Sequence, residues 1–470
     1  MTNPPLRSPR WTLALTSLAF FMIALDALVV ATALPAIRHD LHAGVSTLGW
    51  TVNIYSLTFA VGIITAAALG DRLGRRRVFI GGLGLFSVAS AACAVAPGAG
   101  LLLTARAVQG IGAAAIMPLS LTLLTAAFPA ERRGAVVGIW GAIGGMAVAS
   151  GPVIGGALTQ GLDWHWIFWI NVPLGAAAIL FTRLRVAESF GEHEPLDLPG
   201  MALMTAASLG LVWALVRSGS AGWGSAEVLA SGGAGLALLA GFARWERRAA
   251  APLLPLRLFA HRSFAAANAS AFLQIGAIMA AAFLMAQYFQ LALGNSPLST
   301  GLRLLPWTAT PMVVAPVAGA LSDRIGPRPL MVGGLALQAA GLGWFALLAG
   351  GAPSYGAMVA PLVMAGVGIS MAIPTTPAAA LSAVSAADLG KASGVNSTLQ
   401  RFGGVFGVAL AAAVFSAHGH LGTTASFQAG FRPALVAAAG LSLLSALAAL
   451  GVARVVRPAP APAVVSSAAA

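Results

Sequence analysis

Residues 70–77 read GDRLGRRR and residues 322–329 read SDRIGPRP. The first stretch packs five charges into eight residues, in a chain where charged residues make up only 8%. Each stretch lies between two long apolar runs. Charge confined to a short, Gly-bearing turn between apolar runs is what a helix reversal at a membrane surface requires.

The rest of the composition agrees. The chain has 470 residues, 58% of them hydrophobic, and a mean hydropathy of +0.87. A soluble protein of this size has too few charges here to cover so much apolar surface. The runs are continuous and do not alternate, so they read as helices rather than barrel strands, since lipid offers no partner for an open backbone. The net charge of +13 does not indicate nucleic acid, because the arginines are scattered singly and in pairs between runs. Cys93 is the single cysteine, which excludes an intramolecular disulfide. The N-terminal run from Thr12 to Leu34 is longer than a signal-peptide core and carries Asp26, so it reads as the first transmembrane helix.

The pattern predicts an all-α polytopic membrane protein of fourteen spans, at about 12–34, 49–69, 78–97, 101–124, 134–158, 166–183, 199–217, 226–243, 264–292, 301–321, 330–350, 355–378, 391–415 and 431–453. The ninth is long enough to be tilted or to end before Gln287. With the N-terminus inside, 20 Arg and Lys fall in inner loops and tails against 4 in outer ones, a strong positive-inside bias. Both termini are therefore expected in the cytoplasm, with no nucleic-acid partner. The stretch after Arg457 is low-complexity and reads as disordered.

The charged turns expose an internal repeat. They lie 252 residues apart, AVQGIGAAAIMP (107–118) matches VMAGVGISMAIP (363–374) at 256, and GAVVG (134–138) matches GKASG (390–394) at the same offset. Two copies of one six-helix unit follow, with spans 7 and 8 inserted between them. The expected organisation is a first bundle over 1–190, two inserted helices with a connector over 191–262, a second bundle over 263–456 and a tail over 457–470. Two related halves suit a central site reached alternately from either side. Gly70, Asp71, Arg72, Gly74, Arg75 and Arg76, with Asp323, Arg324 and Gly326 in the second copy, are the expected gate contacts. Asp71 is expected to face the positive end of a neighbouring helix.

These motifs together resemble the major facilitator superfamily, in its branch of fourteen-span drug/proton antiporters. The carrying stretches are LDALVVATALP (25–35), GDRLGRRR, RAVQGIGAA (106–114), GPVIGG (151–156), WHWIFWINVPLG (164–175), SDRIGPRP and NSTLQRFGGVFG (396–407). Their order and placement cover nearly the whole chain. The resemblance implies efflux, with the GPVIGG stretch as the exporter motif. One position departs from it: Leu28 stands where the related pattern has a polar residue.

Asp26 is the one acid placed well inside a span, and an intramembrane acid is rarely carried without function. Arg106 lies at a similar depth on the fourth span, with Gln109 one turn on. A guanidinium nearby favours the carboxylate and its withdrawal favours the protonated form, so the set can load and unload a proton. At the matched offsets the second half has Ile278, Leu362 and Ala365, which puts proton chemistry in the first half. Depth in the spans suggests Asn53, Trp140, Gln274, Trp307 and Asn396 as cavity residues. Arg401 joins them, either complementing an anion or bonding backbone carbonyls. Gly151, Pro152, Gly155 and Gly156 suit close helix packing and a hinge on the outer side.

No His pair sits at ligand spacing on a buried face and no phosphate loop is present, so neither metal, ATP nor another cofactor is expected. The leading expectation is a proton-coupled exporter of amphipathic compounds such as drugs or antibiotics, working without catalysis and as a monomer in a bacterial inner membrane. A specific metabolite transporter on the same fold, or a membrane sensor that no longer transports, are the other readings.

Overall fold

The structure, a computed structural model, describes residues 8–190, 197–249, 252, 256–351, 353–384 and 389–453. The proposed disordered tail at 457–470 and most of the 250–255 connector lie outside the described residues. What is described is helical. The first part of the chain forms α1 (Pro9–Leu41), α2 (Val45–Leu73), α3 (Arg75–Ala94), α4 (Ala99–Ala127), α5 (Ala130–Gly161), α6 (Trp166–Trp169) and α7 (Asn171–Arg185). Then come α8 (Leu198–Ala221) and α9 (Ala226–Glu246), and a short 3₁₀ turn at Leu256–Ala260. The last part holds α10 (Arg262–Gln287), a π-helical turn at Tyr288–Ala292, α11 (Pro297–Thr308), α12 (Thr310–Ile325), α13 (Pro327–Leu348), α14 (Tyr355–Ser382), α15 (Leu389–His418) and α16 (Thr424–Ala449).

Among the described residues, twelve helical segments are long and apolar enough to cross a membrane. α2 and α5 add 29 and 32 residues of helix. Two expected spans are broken, both by proline. The sixth divides at Ile170 because Pro173 has no N–H for the Trp169 carbonyl. The tenth divides at Ala309, where Pro311 leaves the Trp307 carbonyl free and the Thr310 hydroxyl donates to it at 2.8 Å instead. The ninth neither stops before Gln287 nor stays α-helical to its end, since the π-helical turn finishes it.

Packing follows the internal repeat. α4 packs on α2 and α3, α1 on α5, and α3 on α7; likewise α14 packs on α12 and α13, α10 on α15, and α13 on α16. Both charged turns have the same geometry. Gly74 has φ 107° and Gly326 φ 82°, a region that side chains disfavour, and each Gly N–H donates back four residues, to Gly70 and Ser322. α8 and α9 pack on each other, and α8 leans on both α2 and α15.

The apolar core is divided unevenly. At the end remote from the charged turns, one cluster spans both halves. It runs through Leu25, Val29 and Leu34 of α1, Phe168 of α6, Phe283 of α10, Trp307 of α11 and Val408 of α15. Towards the charged turns it splits. One core, with Phe59, Phe79, Phe86 and Ile116, belongs to the first half alone. Another, with Phe264, Met331, Leu335 and Val395, lies in the second half and against α9. Among the described residues, three cross-half hydrogen bonds lie with the shared cluster, and a fourth, from Arg401 to Met117 Sδ, lies nearer the charged turns. Arg38 donates to the Leu421 carbonyl at 3.0 Å, Gln290 to the Thr32 carbonyl at 2.7 Å, and the Leu298 N–H to Gln160 at 3.2 Å, all at the remote end. The halves thus share their largest core at the remote end and keep separate cores nearest the charged turns, with Leu57, Phe402, Val405 and Ala409 joining α2 to α15 between them.

The helix 5 glycines make that joint. Gly151 and Gly155 lie against Leu28, Val29 and Thr32 of α1. On the other side a Cβ on Gly156 would meet the Pro297 backbone, and one on Gly301 would meet the Pro152 backbone. Two backbones this close leave no room for a side chain. Gly301→Val is therefore expected to force the remote ends apart. Spin labels on the 162–165 and 293–296 loops, measured by double electron–electron resonance, should show a population at longer distance than in the unsubstituted chain. An unchanged distance distribution would mean that this crossing does not hold the seal.

Candidate functional site

Asp26, Arg106 and Gln109 come together. Arg106 Nη1 donates to Asp26 Oδ2 at 2.5 Å and to Gln109 Oε1 at 2.8 Å, and Gln109 Nε2 donates to Asp26 Oδ1 at 3.0 Å. The i, i+3 spacing on α4 puts both partners on one face. Arg106 Nε donates to the Thr51 carbonyl at 3.2 Å, and its guanidinium lies 4.1 Å over the Tyr55 ring. Asp26 is 2% exposed and Arg106 1%. A pair this deeply buried is tolerable only because nearly every lone pair and donor is met.

Two members of this network were missed in the sequence. Asn171, the first residue of α7, donates to Asp26 Oδ1 at 3.2 Å and to Ser90 Oγ at 3.1 Å. Ser90 in turn donates to the Phe168 carbonyl at 2.9 Å. Short polar residues in greasy helices usually bond their own backbone, so nothing in their type marked them. The signal present was the break in the sixth span, which places Asn171 at a helix start. The site is closed inside the first half, among α1, α2, α4 and α7.

The expected cavity residues do not converge. Trp140 stacks on Phe20 at 4.0 Å, within the first half. Gln274 Oε1 accepts from Thr376 at 2.8 Å, and Asn396 donates to Asn268 at 3.1 Å while accepting from Gln400 at 2.6 Å, both inside the second half. Trp307 belongs to the shared core at the remote end. Depth along a helix says nothing about which way a side chain points. Asn53 and Arg401 alone of this set reach the seam between halves. Asn53 lies one turn from both Gly49, which meets Ala412 of α15, and Leu57, which clusters with Phe402 and Val405. Arg401 crosses from α15 to the first half, 4.0 Å over the Phe59 ring and 3.2 Å from Met117 Sδ. Among the described residues it bonds no backbone carbonyl.

In the first charged turn, Arg75 Nε donates to Asp71 Oδ1 at 2.7 Å. The expectation that Asp71 faces a helix N-terminus is corrected here. That place is taken by Glu188, whose Oε1 accepts from the Arg76 backbone N–H at 2.8 Å at the start of α3. Glu188 also lies near the Arg76 and Arg77 guanidinium groups, at 3.7 and 3.8 Å, and against Gly74. Arg72 is exposed. In the second turn Arg324 is exposed, and the Asp323 side chain lies outside the described residues. A 480 Å³ apolar cavity runs beside the first turn's helices, lined by α2, α3, α4 and α8, away from the charged pair.

The buried network makes a thermodynamic prediction. Arg106→Ala leaves a carboxylate with no counter-charge and is expected to cost about 3–5 kcal/mol. The double variant Asp26→Asn with Arg106→Gln should lose clearly less than the sum of the two single losses. Thermal unfolding of the detergent-purified protein checks this, and strictly additive losses would show that the pair is not energetically coupled.

Comparison with known proteins agrees with this architecture. The Major Facilitator Superfamily pattern matches residues 16–291 and 264–470. The multidrug resistance protein Stp of Mycobacterium tuberculosis is 36% identical over 87% of this chain and 76% of its own length. The tetracenomycin C resistance and export protein of Streptomyces glaucescens is 34% identical over 86% of this chain and 76% of its own. The multidrug efflux pump LfrA of Mycolicibacterium smegmatis is 34% identical over 95% of this chain and 88% of its own. Among solved structures, the fold matches a bacterial homologue of the human lysosomal transporter Spinster, in an inward-facing and occupied conformation. That match has a TM-score of 0.69, 16% identity, and covers 96% of this chain and 97% of the other. It also matches the peptide transporter POT in complex with sulfate, with a TM-score of 0.68, 16% identity, and 93% of each chain covered. The chain is a multi-pass, all-helical membrane protein that belongs to the major facilitator superfamily.

Proposed function

We propose that this protein is a proton-coupled antiporter that exports amphipathic organic compounds, drugs or antibiotics among them. The observation that carries this reading is its similarity, over most of its length, to three proteins named for drug resistance or efflux. It acts as a transporter rather than an enzyme, driven by the proton gradient without a cofactor, and as a monomer. We read fourteen spans, with bundles at 1–190 and 263–456 and two inserted helices with a connector at 191–262. The charged turns and both termini face the cytoplasm of the bacterial inner membrane.

In that orientation the structure is closed to the outside and parted on the inside. The buried pair sits beside the outer seal. Leu25 and Leu28, the neighbours of Asp26, and Ala105, next to Arg106, all belong to the shared core. Opening the outer end breaks that core and removes one wall of the site. A proton from outside then neutralises Asp26, and Arg106 loses its counter-charge. Return to the closed state buries the neutral acid with the guanidinium, and release of the proton inward restores the pair. A ligand or proton shifts such an equilibrium only by its differential affinity for the two states. Here the pair supplies that difference.

Asp26→Asn keeps the size of the side chain and removes its titration. In proteoliposomes with an imposed pH gradient, it should abolish gradient-driven drug transport while energy-independent exchange persists. Full gradient-driven transport in this variant would remove Asp26 from the mechanism. Asp71→Asn should slow transport without weakening drug binding, because the Asp71–Arg75 contact stabilises a conformation rather than the ligand. Equal losses in rate and affinity would instead indicate misfolding or direct contact with the drug.

A further inference from the structure

The strongest unexplained group in the molecule is Arg401. It lies 12 residues from the start of the 30-residue α15, near mid-depth of the membrane. Its neighbours on the chain mark the level. Val408 belongs to the core shared by both halves, and Val395 to the core of the second half and α9. Phe59 and Ile116, next to its contact Met117, belong to the core of the first half alone. Arg401 therefore sits where the shared core ends and the halves part.

Its partners do not neutralise it. Among the described residues it touches an aromatic face, Phe59, and a thioether, Met117. A ring face eases a buried guanidinium but supplies no charge. The acid nearest in kind, Asp26, already accepts from Arg106, Gln109 and Asn171 and is sealed away. The other acids whose side chains are described lie at helix ends or in loops: Asp40, Asp71, Asp163, Glu188, Asp197, Glu227 and Glu246. At this depth an unpaired charge is costly and is retained for function. A second observation points the same way. Asn53, fully buried on the seam face of α2, has neither its amide nitrogen nor its oxygen partnered among the described residues. Arg401 and Asn53 both lie along the seam between α2 and α15, one with its charge and the other with its amide unmet among the described residues.

We propose that the exported compounds carry an acidic oxygen, a carboxylate or an ionised enol or phenol, on an apolar or aromatic body, and that Arg401 pairs with that group. This rests on the exporter reading above and names its substrate class. The Asp26 carboxylate is not available to a cationic substrate, because it is committed to Arg106 and closed off from the seam. The energetics are consistent. Export of an anion and import of a proton both move charge in the direction that an inside-negative potential drives, so the potential assists each step. A cation leaving would oppose it and would meet Arg401 with like charge. A guanidinium presents several N–H donors in a fork that fits a carboxylate, and Phe59 holds that fork in place.

The test is equilibrium binding, separate from transport, so that its failure is distinguishable from failure of the exporter reading. Ring-matched pairs of benzoic, 1-naphthoic and coumarin-3-carboxylic acids and their primary amides are titrated against the detergent-purified full chain, by tryptophan quenching and by equilibrium dialysis. At least one acid should bind on the order of tenfold more tightly than its amide, the size of a charge-assisted hydrogen bond. Arg401→Gln should erase that preference, chiefly by weakening acid binding, and Arg401→Lys should keep part of it. Acids and amides binding alike, no acid binding at all, or a preference that survives Arg401→Gln would each overturn the proposal. If Arg401→Gln does not fold, the Lys variant and the unsubstituted chain decide it, because equal affinity for acid and amide in either is enough to reject it. Acid-selective, Arg401-dependent binding without gradient-driven transport would sink the exporter reading and leave the site standing.

Discussion

The contact between Asp26 and Arg106 is the constraint around which the first half is built. Neither group is tolerable alone in this environment. An isolated carboxylate or guanidinium at such burial costs several kcal/mol, of the order that an opposite partner and further hydrogen bonds must offset. The protein meets that demand from three neighbouring helices. α4 supplies Arg106 and Gln109, α7 supplies Asn171, and α2 supplies the Thr51 carbonyl and the Tyr55 face. α1, which carries Asp26, is thereby tied to α4 and α7 through one side chain. The break at Ile170, forced by Pro173, lets Asn171 begin a helix within reach. A local backbone rule and a buried electrostatic demand are solved by the same few residues.

That demand also explains the asymmetry between the halves. The repeat gives both the same helix neighbours and the same left-handed glycine in the charged turn. At the positions matching the ionisable set, the second half places Ile278, Leu362 and Ala365, all buried. Its polar contacts are neutral pairs, Gln274 with Thr376 and Asn396 with Asn268 and Gln400. Neutral pairs hold helices together without titrating. The first half thus holds the buried ion pair, whereas at the matching positions the second half is apolar, although the two share one architecture.

How much of this was legible in the sequence depends on the kind of interaction. Rare residues in an apolar background stand out, so Asp26 and Arg106 could be paired from depth alone, and the turn motif marked the repeat. The helix 5 glycines were readable as close packing because nothing else explains that density of small residues. Glu188 was not readable, since it meets the Arg76 backbone from 112 positions away and looks like any loop acid. The scattered cavity candidates failed for a different reason. A helix buried on most sides carries little amphipathic signal, so no stripe told which face of α10 meets the other half. The direction of a side chain about its helix axis is set by packing partners that a single sequence does not name.

The divided core then decides which polar groups can act on what. A residue in the shared cluster is exposed only when the remote end opens, and a residue below it only while the charged-turn end is parted. Asp26 and Arg106 border the shared cluster, whereas Arg401 lies at its lower edge with Phe59 and Met117. The two arginines approach the same aromatic pair from opposite sides. Arg106 stacks on Tyr55 and Arg401 on Phe59, and those rings meet edge-on at 5.8 Å. Two guanidinium groups on one aromatic ladder repel each other least when one is neutralised by Asp26 and the other by something that is not part of the chain. Arg106 and Arg401 are thus linked through an aromatic ladder one turn of α2 long.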